Sequence, residues 1–162
     1  MNTIEDLYEY VEKAINITKK VNATKEQLIE ELEYMEGTAR ALKNYDPIFK
    51  FLEAYPSLID ACIGVDEFKD FTLLYNSVEF QYYNVVKKLL EMGADPNKVC
   101  EYVPLNQAIE DEWIEGVRLL LKYGADPEID DSFGSTPMEE AREKGNREIL
   151  NLLKNSECKH RP

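Results

Sequence analysis

The sequence predicts an all-α fold, a stack of helical repeats forming a solenoid, with an N-terminal helical hairpin as its cap. Three observations carry that expectation. Apolar residues recur at helical spacing through residues 3–43. Two segments ending in Gly-Ala-Asp-Pro, at Gly93 and Gly124, stand 31 positions apart. Two helix starts with Pro in second place, Val103-Pro104 and Thr136-Pro137, stand 33 apart. Self-similarity at such a period marks an architecture built from stacked supersecondary units.

Taken in order, Thr3 caps the first helix, whose apolar face is Ile4, Leu7, Tyr8, Val11 and Ile15. Val21-Asn22-Ala23 breaks it, and Thr24 with Gln27 makes a capping box for the next. There the stripe is Leu28, Leu32, Met35, Ala39 and Leu42, with Glu26, Glu30, Glu33 and Glu36 expected mostly off it. Gly37 marks a point where this helix can bend or split. Residues 1–44 thus form the helical cap. Asn44 to Pro47 is a turn, and Ile48, Phe49, Phe51 and Leu52 open a short helix that stops near Pro56. Residues 45–70 read as a degenerate repeat unit, with 59–70 as an enlarged or irregular finger; the alternative is a helix unrelated to the repeats.

Three further units are expected at about 71–100, 101–133 and 134–155, followed by a short polar tail. The first runs from Thr72-Leu73-Leu74 to Val85–Leu90 and Gly93-Ala94-Asp95-Pro96. The second runs from Val103-Pro104-Leu105 to Val117–Leu121 and Gly124-Ala125-Asp126-Pro127. The third runs from Gly134-Ser135-Thr136-Pro137-Met138 to Ile149–Leu153. Pro in the first helical turn lacks only an amide that would have had no partner. Gly93 and Gly124 stand where the second helix of a unit must end, in the left-handed conformation Gly tolerates. No unit of this size buries its apolar face alone, so neighbours must stack.

This pattern resembles the ankyrin repeat, in which Asp-x-x-Gly-x-Thr-Pro-Leu-His leads through a Leu-rich helix to Gly-Ala-Asp. Asp131, Gly134, Thr136 and Pro137 are in register with its opening. There are departures. Tyr75, Asn106 and Glu139 stand where the family has His, so the hydrogen bonds of that His must be made otherwise or lost. The finger between Asn97 and Val103 is two residues shorter than the one between Glu128 and Thr136.

Acidic residues number 32 against 19 basic ones, for a net charge of −13. Nucleic acid and anionic membranes are poor partners for such a chain, because both demand Lys and Arg. The apolar runs are too short for a membrane span, and the acidic N-terminal stretch does not resemble a signal peptide. A cytoplasmic protein is expected, with Cys62, Cys100 and Cys158 as reduced thiols. The only histidine is His160, which excludes the common nucleophile–His and paired-His metal arrangements. Asp126, Glu128 and Asp130 imitate the start of a calcium loop, but Asp131 replaces its Gly and Pro137 its final Glu. No catalytic residue, cofactor or metal is assigned.

The expectation is therefore a non-enzymatic binder of another protein. The resemblance implies contact through the finger tips and the outward face of each first helix. Those positions are Lys69, Phe71, Glu79 and Phe80, then Tyr102, Glu110 and Asp111; Trp113, near the turn between the helices of the second unit, is a further candidate as an interface aromatic or as packing between repeats. In the third unit they are Asp130, Ser132, Phe133, Ser135, Glu143 and Lys144. The acidity suits a partner with a basic surface, such as a toxin or nuclease, and a small inhibitor resembling bacterial immunity proteins. The alternatives are an ankyrin-type adaptor or effector for a host or cellular protein and, more remotely, an enzyme with an unrecognised carboxylate site.

Overall fold

The first two helices, α1 (Ile4–Val21) and α2 (Lys25–Leu42), begin with the same reciprocal exchange. The Thr3 hydroxyl accepts from Asp6 N while the Asp6 carboxylate accepts from Thr3 N, and Thr24 and Gln27 repeat the arrangement. The computed structural model describes residues 3–64 and 71–160, with side chains as far as Ser156. After α2 come α3 (Asp46–Ala54), a 3-10 turn at Pro56–Leu58, and two short strands, β1 (Cys62–Ile63) and β2 (Phe71–Thr72). Helices then follow in pairs: α4 (Leu73–Glu79) with α5 (Tyr83–Glu91), α6 (Pro104–Glu110) with α7 (Ile114–Lys122), and α8 (Pro137–Lys144) with α9 (Arg147–His160).

The helical stack is as the periodicity predicts. Inner helices α4, α6 and α8 pack in series, and outer helices α5, α7 and α9 pack in a second series behind them. One apolar core runs through the whole, from Leu7 and Val11 through Leu52 and Leu74 to Leu105, Leu120 and Leu153. At the end of α5 and α7, Gly93 and Gly124 take φ values of 96° and 92°. Ala94 and Ala125 then return their amides to Leu89 and Leu120, closing each helix.

Polar contacts fasten one unit to the next. Asp60 Oδ1 accepts from Asp95 N at 2.9 Å. Asn97 Oδ1 accepts from Asp126 N at 2.7 Å while its amide group donates to the Gly124 carbonyl at 2.9 Å. Higher in the fingers, the Ser132 amide and hydroxyl both donate to the Glu101 carbonyl.

Several expectations are corrected. Gly37 does not split its helix; α2 is continuous. In α1 the buried positions are Leu7, Val11, Ala14 and Thr18, while Tyr8 is exposed. The face is turned because α1 packs on α3 as well as α2, and Thr18 reaches across to the Tyr55 hydroxyl at 2.6 Å. Glu36, expected off the apolar stripe, is only 5% exposed. Its Oε1 accepts from the Tyr45 hydroxyl at 3.1 Å and from Asn76 Nδ2 at 2.7 Å, and Arg40 lies 3.9 Å from Oε2. Cys62 and Cys100 are not free thiols. They form a disulfide with Cα atoms 5.8 Å apart, tying β1 to the shortened finger before α6. Neither sequence spacing nor an odd cysteine count could reveal a bridge that depends on the fold bringing two fingers together. Cys158 lies beyond the described side chains.

Two features of this architecture, the buried Glu36 and the disulfide, can be tested. Glu36→Ala strands the Asn76 and Tyr45 donors in the core and should cost about 3 kcal/mol in urea unfolding at neutral pH. Burial pushes the Glu36 carboxyl above its ordinary 4.5, with Glu79 adding to the rise and Arg40 and Tyr45 opposing it. The folded state therefore holds this proton at a pH where the unfolded chain has released it. Wild type should gain stability relative to Glu36→Gln as pH falls from neutrality toward 4.5, and hold that gain below it. For the bridge, thiol titration of the denatured, unreduced chain should find one reactive cysteine, and three after reduction. Closing a 38-residue loop is worth about 4 kcal/mol, so reduction should lower the melting temperature.

Candidate protein-interaction face

Each finger delivers an aromatic ring to the same side of the stack. Phe71 sits in β2 just before the Thr72 cap of α4, and Tyr75 sits one turn into that helix. Tyr102 precedes the Val103-Pro104 start of α6. Phe133 stands in the third finger, where Asp131 Oδ1 accepts from the Phe133 and Ser135 amides at 2.8 and 2.9 Å. The four rings form a ladder, with successive centroids 6.3, 5.5 and 5.3 Å apart. Such spacings are those of favourable aromatic pairs. The ladder grows more open toward its end: Tyr75 is 8% exposed, Tyr102 38% and Phe133 67%.

Beside the ladder lies a row of carboxylates. Glu79 ends α4, and Glu110 and Asp111 end α6, all exposed. Negative charge at a helix C-terminus opposes the helix dipole. Among the described residues none of the three has a cationic partner. They press on the Tyr75 hydroxyl, whose pKa is raised first by burial, then by Glu79, Tyr102, Glu110 and Asp111. That hydroxyl donates to Gln107 Oε1 at 2.7 Å, and Gln107 Nε2 donates to Asp111 at 3.0 Å.

The expected contact residues do not all meet. Phe71, Tyr102, Phe133, Ser135, Glu110 and Asp111 fall on or beside the ladder. Ser132 is bonded to the neighbouring finger, and Asp130 is exposed next to it. Glu143 and Lys144 are exposed at the end of α8, where Lys144 lies 3.8 Å from Glu140. Glu79, four residues on from Tyr75, presses on its hydroxyl, while Phe80 at the C-terminal end of α4 stacks on Tyr82 and lies under the Arg40 guanidinium. Trp113 is half-buried against the core. Lys69 is outside the described residues.

A model of ankyrin repeats, in three copies, matches residues 74–161. The chain belongs to the ankyrin-repeat family. No curated protein matches the sequence. The ankyrin assignment makes the family His positions instructive, because they supply the site residues that sequence reasoning did not select. Tyr75 became a rung of the ladder. Asn106 donates its amide to Asp131 Oδ2 at 3.2 Å and the Ser135 carbonyl at 3.4 Å, fixing the third finger. Glu139 closes a capping box with Thr136. The signal was the departure itself. Gln107, Glu140 and Arg40 carried no such mark. Among the described residues no cluster of His, Cys, Asp or Glu could hold a metal, and no helix is long and apolar enough to cross a membrane.

The packing of Trp113 can be tested through Gly116. A methyl group on Gly116 would overlap the Trp113 indole at Cε3, so the ring lies directly on the α7 backbone. Gly→Ala in a helix ordinarily gains up to ~1 kcal/mol. Here Gly116→Ala should instead cost about 1–3 kcal/mol in thermal unfolding and shift the Trp fluorescence maximum.

Proposed function

We propose that this ankyrin-repeat chain binds a basic protein through the finger side of its stack, as a non-enzymatic inhibitor of the kind represented by bacterial immunity proteins that neutralise a cognate toxin. The observation that carries the reading is the pairing of an aromatic ladder with unpaired carboxylates on one face. Interface hot spots are rich in Tyr and Trp, held in desolvated settings and ringed by polar groups. Unpaired Glu79, Glu110 and Asp111 impose a cost on the free chain through the dipoles of α4 and α6, and a cationic partner would reverse it. A net charge of −13 would also speed capture of a basic cleft by long-range attraction. The expected cytoplasmic setting sits less well with the Cys62–Cys100 bridge, since disulfides persist chiefly in oxidising compartments.

The test is charge reversal of Glu110 and Asp111 together to Lys, with the partner captured from source cells and identified by mass spectrometry. Both positions are exposed, so circular dichroism should match wild type, and the melting temperature should hold or rise by a few degrees as Lys replaces carboxylates at the α6 C-terminus. Association at low salt should slow roughly tenfold, and the salt dependence of the rate should flatten. Equal rates and equal salt slopes would remove this row from the interface.

A further inference from the structure

Between α4, α6 and the third finger lies a recess of about 170 Å³, lined among others by Tyr75, Tyr102, Asn106, Glu110, Asp131 and Glu140. Small-molecule sites run to ~300–1,000 Å³, so this one has room for a single side-chain tip. Its charge is all negative, set among the hydroxyls and amides of Tyr75, Tyr102, Asn106, Gln107 and Ser135. Glu110, Asp131 and Glu140 contribute carboxylates, and no lining residue is a cation. Asp131 is already committed to the finger amides and to Asn106, which leaves Glu110 without a cation and Glu140 shared with Lys144 at 3.8 Å. Asn106 adds a further acceptor. Two acceptors, Asp131 and the Ser135 carbonyl, hold its amide nitrogen and so fix the orientation of the group. Its Oδ1 is then the one buried side-chain polar atom without a partner among the described residues. That atom is closed to solvent, so a donor reaches it only with a small shift of the Asn106 side chain, and would then recover the free energy that an unmatched acceptor costs.

A group that offers donors only, has a flat apolar body and carries positive charge fits this lining. We propose that the recess receives the guanidinium of an arginine on the partner protein, its methylene stem lying along the edges of Tyr75 and Tyr102. Guanidinium has five donors and no acceptor, and it pairs with carboxylates through parallel bonds. An ammonium offers three donors from a point and has no flat body to match the rings. The hollow on the outer-helix side is larger, about 630 Å³, but Arg118 and Lys122 line it and would repel the same group. The assignment rests on the protein-binding reading above and names the partner group that its finger face selects.

The test needs no partner. N-acetyl-arginine amide is titrated into the full-length chain and followed by amide and side-chain NMR, with N-acetyl-citrulline amide as the uncharged isostere. The expected result is millimolar, saturable shifts at the Asn106 side-chain amide, Tyr102 and Glu110, at least fivefold weaker with citrulline. Glu110→Gln with Glu140→Gln should abolish saturation while preserving the rest of the spectrum. Equal binding of citrulline, or shifts scattered over the acidic surface, would overturn the assignment. Failure here is separable from failure of the broader reading. If the double Gln variant captures the partner with unchanged affinity while Glu110→Lys with Asp111→Lys slows its association, the face stands and the recess falls.

Discussion

The Glu36 carboxylate sits where α2, α3 and α4 converge, and through it the N-terminal helices are joined to the repeat stack. Tyr45 reaches it from the start of α3, Asn76 from the middle of α4, and Arg40 from one turn further along α2. A charge in so dry a place is expensive, and removing one partner of such a group typically costs several kcal/mol. Apolar packing alone would tolerate small rotations of α2 against α4. Directed bonds from two elements to one oxygen do not. The inner helices of the later units inherit that orientation, because α4 packs on α6 and α6 on α8.

Along the stack the same economy recurs with side-chain oxygens that accept from backbone amides. Asp60 meets Asp95, and Asn97 meets both Gly124 and Asp126, so each helix-terminal turn is anchored by the unit before it. The fingers are held in turn by Ser132 on Glu101 and by Asp131. This is why four rings from separate segments can lie in register as a ladder. The order is imposed by backbone turns, and the rings add contact rather than define it. A face prepared in this way loses little conformational entropy on binding, which favours affinity for a given area.

What was legible in the sequence is local. Thr24 with Gln27 announced a capping box and Gly93 and Gly124 announced helix ends, each from residues within one turn of one another, while the recurrence of Gly-Ala-Asp-Pro announced stacking through its period. What was not legible is what the stack creates at a distance. Glu36 finds Asn76 across 40 residues, and Cys62 finds Cys100 across 38. The buried face of α1 turned toward Ala14 and Thr18 because α3 supplies Tyr55, which no periodicity in α1 could report. On the ladder side, Phe71, Tyr102 and Phe133 could be named from their place in a unit. Asn106 and Glu140 could not, since their importance lies in a recess whose walls come from neighbouring units.

The Cys62–Cys100 bond also has a topological meaning. It closes a covalent ring around the whole of the first complete unit, with α4 and α5 both inside it. A solenoid ordinarily behaves as a line, able to lose units from its ends or part in the middle. Here a backbone break at the exposed turn around Gln81, where φ is 53°, leaves one molecule rather than two fragments. The segment that presents Phe71, Tyr75 and Tyr102 is thereby held against the rest of the chain even after its own connectivity is cut.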